Sequence, residues 1–232
     1  MKIVTKEAEI QASIDGALKN ADTTRSVIIG SGAINSVVSC LTQYFSGKPA
    51  LIIADQNTFE AAGKQVLQQL KSEGYPTEEP FILDSKGLDA EMSYVEKIQE
   101  QLTGKNFVPI AVGSGTINDL TKLAAGRCGL GYMSVGTAGS MDGYTAFGSS
   151  ISYKGAKQTF NCPAPLAVIA DIDVIACAPP EMNASGYADL VAKIPSGADW
   201  IVADALGIEP INPVAWDLTQ THLREMVNNP AG

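Results

Sequence analysis

Short apolar runs bounded by glycine, proline or acidic residues alternate with longer stretches whose apolar positions recur at helical spacing, and this rhythm persists to about Gly131. The short runs suit strands buried on both faces; the longer ones suit amphipathic helices. Glu7 to Leu18 reads as a helix, and Ser26 to Ile29 as a strand that ends in Gly30-Ser31-Gly32 before a helix from Ile34 to Phe45. A second unit pairs the strand Ala50 to Ala54, with Asp55 at its carboxyl end, with a helix that starts at Asn57-Thr58 and runs to Leu70. Its end is marked by Gly74-Tyr75-Pro76. Pro80 to Leu83 and the helix Asp89 to Leu102 form a third unit. Val108 to Val112 opens a fourth, in which Ile117, Leu120, Leu123 and Ala124 share one helix face. Strands and helices alternating in this way predict a parallel sheet covered on both faces.

Beyond Gly131 the pattern changes. Tyr132 to Val135 reads as a further strand, whereas Gly136 to Ser150 is rich in Gly, Ser, Thr and Asp and reads as a long polar loop. Ser150 to Lys154 and Gln158 to Asn161 suit a hairpin about Gly155, and Leu166 to Ala170 a strand ending at Asp171. From Pro179-Pro180 the spacing is helical, over Glu181 to Ala192, Ala198 to Leu206 and Pro213 to Val227. The expected fold class is therefore α/β: a Rossmann-like parallel-sheet domain over residues 1–178, then an incomplete all-helical domain over 179–232. About fifty residues is near the lower limit for a helical core that stands alone.

With 232 residues and 45% hydrophobic content the chain has ample material for a packed core. No apolar run is long enough to span a bilayer, and the N-terminal residues lack the apolar stretch of a secretory signal, so a soluble, cytoplasmic protein is expected. Cys40, Cys128, Cys162 and Cys177 are widely spaced, form no CxxC pair and read as reduced core thiols. A net charge of -9 gives no positive field for nucleic acid or anionic lipid. An anionic small molecule needs local N–H donors or a metal instead.

Such donors are suggested by Val112-Gly113-Ser114-Gly115-Thr116-Ile117-Asn118-Asp119-Leu120-Thr121-Lys122. An apolar strand delivers three small residues onto a helix start, where backbone N–H groups and the helix dipole attract a diphosphate. An ordinary strand-turn-helix corner also favours glycine, so both readings stand at this level. Asp55 could accept from a ribose or cap the Asn57-Thr58 helix. Asp142, before Gly143, suits turn chemistry. Lys122 reads as a solvated helix charge, and His222, the one histidine, as a surface or packing residue.

Three blocks in order carry a family resemblance: Gly113-Ser114-Gly115-Thr116-Ile117-Asn118-Asp119, then Thr137-Ala138-Gly139-Ser140-Met141-Asp142-Gly143-Tyr144, then Gly186-Tyr187-Ala188-Asp189-Leu190-Val191-Ala192-Lys193 with Ala198-Asp199-Trp200. The chain from about Ile28 to Ala205 resembles the sn-glycerol-1-phosphate dehydrogenases, a branch of the metal-dependent polyol dehydrogenase and dehydroquinate synthase superfamily. The resemblance implies NAD(P)-dependent interconversion of dihydroxyacetone phosphate and glycerol 1-phosphate, a phosphorylated polyol or ketone of phospholipid metabolism, with a divalent metal, usually zinc. The Ser140-Met141-Asp142-Gly143-Tyr144 block favours this branch over glycerol dehydrogenase or a dehydroquinate-synthase-like enzyme.

By the same resemblance Asp55, Gly113, Ser114, Gly115, Asn118, Thr137 and Ser140 hold the cofactor, Asp142 is an active-site carboxylate, and Asp189 is a metal ligand. The family completes its metal site with two histidines from later helices, whereas this sequence holds His222 alone. Gly139 stands where relatives often carry proline. The expectation is an oxidoreductase fold that binds nucleotide but turns over little as this chain alone, or a non-catalytic nucleotide-binding module. Completion requires a complementing C-terminal polypeptide, or the rest of a longer parent, to supply the ligands, and the uncovered apolar helix faces suit self-association or poor stability.

Overall fold

The computed structural model describes residues 2–229, with side chains from Ile10 onward. The chain begins with α1 (Lys2–Leu18), β1 (Ser26–Gly30), a 3-10 turn at Ala33–Ser36, α2 (Val37–Tyr44) and β2 (Ala50–Asp55). There follow the single turn α3 (Gln56–Thr58), a π turn at Phe59–Gly63, α4 (Lys64–Ser72), β3 (Phe81–Leu83), α5 (Met92–Leu102), β4 (Val108–Gly113) and α6 (Gly115–Arg127). The remainder is β5 (Met133–Gly136), β6 (Ser149–Tyr153), β7 (Ala156–Phe160), β8 (Ala167–Asp171), α7 (Ile172–Ala176), α8 (Pro180–Ala205), α9 (Pro213–Gln220) and α10 (Leu223–Asn228). These elements form two compact units: a larger one of Thr23–Gly139 with Gly143–Pro179, and a smaller one that takes the residues up to Asp22, Ser140–Asp142, and the residues from Pro180 on.

In the larger unit six strands make one sheet in the order β1-β8-β5-β4-β2-β3, and every pairing within it is parallel. Alternate residues of each central strand serve opposite cores, as the short apolar runs require. Ile52, Ala54, Ile110 and Val112 join Val37, Leu41, Val66 and Leu70 of α2 and α4 on one face. Leu51, Ile53 and Ala111 join Val95, Ile98, Ile117 and Leu120 of α5 and α6 on the other. The expected hairpin forms as a separate antiparallel pair, β6 with β7. Its two-residue turn places Lys154 and Gly155 at φ 53° and 79°, the left-handed conformation that twists with the strands.

One carboxylate fastens the two strands furthest apart in sequence. Asp171, at the carboxyl end of β8, accepts from Asp173 N–H (3.0 Å), so it caps α7, and from Ile34 N–H (3.0 Å) in the turn after β1. Ser31 of the Gly30-Ser31-Gly32 turn donates to Asp173.

In the smaller unit the two helices expected over Glu181 to Ala192 and Ala198 to Leu206 are one, α8, which runs through Pro195. A helical proline lacks an N–H and crowds the carbonyl four residues earlier, which is why the sequence reading breaks there. The helix nonetheless continues, and α9 packs against this stretch: Gln220 donates to Lys193 O (3.0 Å), and Gly197 lies so close beneath Gln220 that a Cβ would stand 2.7 Å from its Nε2. Trp200 and Trp216 pack near this contact with ring centroids 6.0 Å apart. No helix among the described residues is long and apolar enough to cross a membrane. All four cysteines are free; Cys40 and Cys162 are buried as expected, whereas Cys128 is partly exposed and Cys177, just past the end of α7, is exposed.

Candidate functional site

The sheet order creates a switch point at its carboxyl edge. From β2 the chain moves outward to β3, then returns to place β4 on the other side of β2. Ligands of open α/β sheets bind where such connections diverge, outside the carboxyl ends of the strands. Ile53 pairs with Ala111, so two residues further along, Asp55 and Gly113 stand at the ends of adjacent strands. Gly113 is opposite Gly136, and Gly136 opposite Ala170. This row lacks bulky side chains at its centre.

At Gly113 the absence of a side chain is a requirement of the corner itself: a Cβ would stand 2.6 Å from Ile117 Cβ. The tight turn brings the start of α6 straight off the strand. Asn118 N–H to Ser114 O (3.0 Å) is the first bond of that helix, so the N–H groups of Gly115, Thr116 and Ile117 precede its hydrogen-bond ladder. Ser114 occupies the cap position without capping, and both Ser114 and Gly115 are partly exposed. An uncapped helix N-terminus on a glycine corner offers a concentrated set of donors to an anion. Thr137, just beyond β5, is nearly buried, and its N–H donates to Gly113 O (3.1 Å).

Asp55 has the capping geometry. Its Oδ1 accepts from Asn57 N–H (2.8 Å) and Thr58 N–H (3.0 Å), while Thr58 Oγ1 accepts from Asp55 N–H (3.1 Å), a reciprocal box. Asn118 is fully buried, and its Oδ1 accepts from Tyr132 Oη (3.0 Å) while Nδ2 has no partner among the described residues.

In the smaller unit the structure brings together two of the other predicted residues, from the short segment Ser140–Asp142 and from α8. Asp142 N–H donates to Asp189 Oδ2 (3.0 Å), and Lys193 Nζ lies 2.9 Å from Asp142 Oδ2 and 3.5 Å from Asp189 Oδ1. Partial burial works against the Asp189 charge, but the Asp142 N–H and the Lys193 ammonium outweigh it and hold the carboxyl below its usual range. Partial burial also opposes the Lys193 charge; the hydrogen bond to Asp142 and the two carboxylates raise its pKa in spite of this. Ser140 belongs to the same segment and is partly exposed. His222 is exposed, 3.6 Å from Glu225.

Lys122 corrects the sequence reading most sharply. Expected in solvent, it is 1% exposed, because α6 is covered on nearly every side by β4, α5 and β6. Its Nζ donates to the carbonyls of Gly143 (3.3 Å), Ala146 (3.0 Å) and Gly148 (3.1 Å) and stands 3.6 Å from Asp119 Oδ1. Burial dominates both members of the pair, lowering the Lys122 pKa and raising that of Asp119 despite their attraction. Tyr144, also absent from the predicted set, donates to Ala138 O (2.7 Å), and its ring lies 3.2 Å from where a Cβ on Gly136 would stand. Burial pushes its phenol up to about 12.

Residues 28–179 match the iron-containing alcohol dehydrogenase family. A glycerol-1-phosphate dehydrogenase (NAD(P)+) from Geobacillus thermodenitrificans is 34% identical over 205 residues, covering 88% of this chain and 50% of the relative. Its counterpart from Halalkalibacterium halodurans is 35% identical over 201 residues, covering 84% and 49% respectively. The chain thus spans about half the length of these relatives. Among solved structures, sulfoacetaldehyde reductase from Bifidobacterium kashiwanohense in complex with NAD+ has a similar fold, with a TM-score of 0.66 at 16% identity over 90% of this chain and 61% of that one. A parallel sheet with an uncapped glycine corner at its switch point, matched over most of its length by this family, shows that the chain belongs to the iron-containing alcohol dehydrogenases.

Proposed function

We propose that this chain is the nucleotide-binding part of an NAD(P)-dependent glycerol-1-phosphate dehydrogenase, which interconverts dihydroxyacetone phosphate and glycerol 1-phosphate in the cytoplasm. The observation that carries the reading is the uncapped start of α6, on a corner too tight for any side chain at Gly113. The residues fit a dinucleotide. The N–H groups around Gly113, Ser114 and Gly115 take the diphosphate, and the Asp55 oxygen left over from the capping box accepts from the adenosine ribose. Asn118 supports the cradle from beneath, with its unpartnered amide as a further donor. Thr137 and Ser140 serve the nicotinamide and its ribose. Bound there, the cofactor supplies the hydride acceptor and donor; Asp142 is the carboxylate on the substrate side.

Metal is a different matter. A closed zinc site takes at least three protein ligands, and no group of three or more His, Cys, Asp or Glu suited to a metal occurs among the described residues. Asp189 is the single candidate ligand, and it is occupied by Lys193 and by the Asp142 N–H. The residues present do not by themselves hold a divalent metal, and further ligands would come from another polypeptide or from the rest of a longer parent chain. This favours, as the second reading, a nucleotide-binding module without catalysis.

Titration with NADH followed by its fluorescence tests the cradle. Saturable binding is expected, abolished by Gly115→Val in a protein that keeps its far-ultraviolet spectrum, since the valine would stand between the amides and the diphosphate. Dihydroxyacetone phosphate reduction is expected to be negligible with this chain and restored by adding the helical remainder of a relative. Stoichiometric zinc with steady turnover by the chain alone would overturn the module reading; no binding of NADH would overturn both.

A further inference from the structure

The segment from Gly143 to Gly148 has little regular structure of its own beyond a 3-10 turn at Gly143–Thr145. It is nevertheless anchored from below. Three of its carbonyls converge on one ammonium, that of Lys122, and an ammonium has three N–H donors to give. The neighbouring Asp119 holds the next residues: its backbone carbonyl accepts from Ser149 Oγ (2.6 Å) and its Oδ2 from Ser150 N–H (3.2 Å). Hydrogen bonds from a charged donor are stronger than those between neutral groups, so this arrangement can fix a loop.

What the loop carries is Tyr144, which lies over the carboxyl end of β5 with its hydroxyl on Ala138 O and its ring against Gly136. Gly136 shares a row with Gly113 at the edge where the α6 cradle opens. If Lys122 served only to satisfy the core, an apolar side chain of its length would do as well, and nothing would require its donors to meet three carbonyls of a single loop.

We infer that Lys122 is a positioning residue for the nicotinamide half of the cofactor: its ammonium sets the 143–148 loop, and through Tyr144 that loop forms the wall beside β5 against which the ring is placed. The inference rests on the dinucleotide reading above. It separates two functions along one helix, since the first turn of α6 takes the diphosphate while its middle shapes the place of the ring.

The experiment compares wild type, Lys122→Met and Tyr144→Phe by titration with NADH and with ADP-ribose, which has the cradle's diphosphate and no nicotinamide, together with hydrogen exchange of the 143–150 amides. Lys122→Met is expected to speed that exchange about tenfold. It should weaken NADH about tenfold and quench the enhanced nicotinamide emission, with ADP-ribose affinity changed by less than about twofold. Tyr144→Phe, which leaves Lys122 in place, should lose the same emission. Equal weakening of NADH and ADP-ribose in Lys122→Met would reduce the lysine to a stability role and overturn the inference, as would wild-type emission in either variant. If Lys122→Met does not fold, Tyr144→Phe decides the matter alone. Wild-type protein that binds ADP-ribose without any nicotinamide signal overturns the inference and leaves the cradle standing, whereas protein that binds neither overturns both.

Discussion

Replacing Gly113 by alanine measures how tight the β4–α6 corner is. The new Cβ would stand 2.6, 2.8 and 3.0 Å from Cβ, Cγ1 and Cγ2 of Ile117, a side chain with no exposure and therefore no room to retreat. Relief has to come from lifting the first turn of α6 off the strand. Overpacking of this kind costs about 1–3 kcal/mol. The backbone at 113 is outside the left-handed region, so alanine also restricts the unfolded chain and offsets about 0.4–1 kcal/mol of that loss. A net loss of about 1–2 kcal/mol lowers the Tm of a chain of this size by roughly 2–8 °C. Gly30 ends β1 in the corresponding place, but a Cβ there meets nothing within 4 Å, so Gly30→Ala is the control and should be neutral or stabilising by up to about 1 kcal/mol. Calorimetry gives the stability of each variant and ADP-ribose titration its affinity; the lifted amides should weaken binding about tenfold in Gly113→Ala and leave Gly30→Ala unchanged. Gly113→Ala as stable as Gly30→Ala, with wild-type affinity, would refute the claim that the corner's closeness shapes the cradle.

Asp55→Ala removes an acceptor from two N–H groups and should destabilise by about 0.5–2 kcal/mol in urea unfolding, while Asp55→Asn, which keeps an acceptor, loses less. Tyr144 has a folded pKa raised from 10.0 to about 12, so its contribution is complete below pH 10 and disappears as pH rises through about 12. Tyr144→Phe should therefore flatten the alkaline loss of stability over that interval and delete one late phenolate step from the ultraviolet titration. In the smaller unit Lys193→Met breaks a partly exposed ion pair with Asp142 and Asp189 and should change stability by less than about 1 kcal/mol; a loss several times larger would show that the lysine holds α8 as well.

The parts of this molecule that local rules control were readable from composition. Strands such as Ala50–Asp55 and Val108–Gly113 are apolar throughout because they serve cores on both faces, and the hairpin is marked by Gly155 between two short β-prone runs. Asp55 could be read as a cap because Thr58, three residues on, completes the box. What escaped was set at long range. Nothing local distinguishes Lys122 from a lysine on a wet helix face; its burial depends on a loop more than twenty residues later folding back over α6. Pro195 reads as a break, yet α8 runs through it, with Gln220 of another helix packed on the carbonyl of Lys193. The order of strands was likewise hidden, since β1 and β8 are neighbours only in space.

That last pairing constrains how the molecule is made. β1 sits at an edge and has β8 as its sole partner in the sheet, and the contact between Thr24 and Pro165 that leads into the ladder bridges 141 residues. On a ribosome adding about 5–20 residues per second, the first strand waits roughly 7–30 s for its mate to be synthesised. Throughout that interval its backbone groups have no strand to pair with, although Ile28 can already meet the core built on α2, and β5 presents an open flank where β8 will insert. The sheet therefore cannot close until its final strand is made, and Asp171 arrives with that strand to link the two ends.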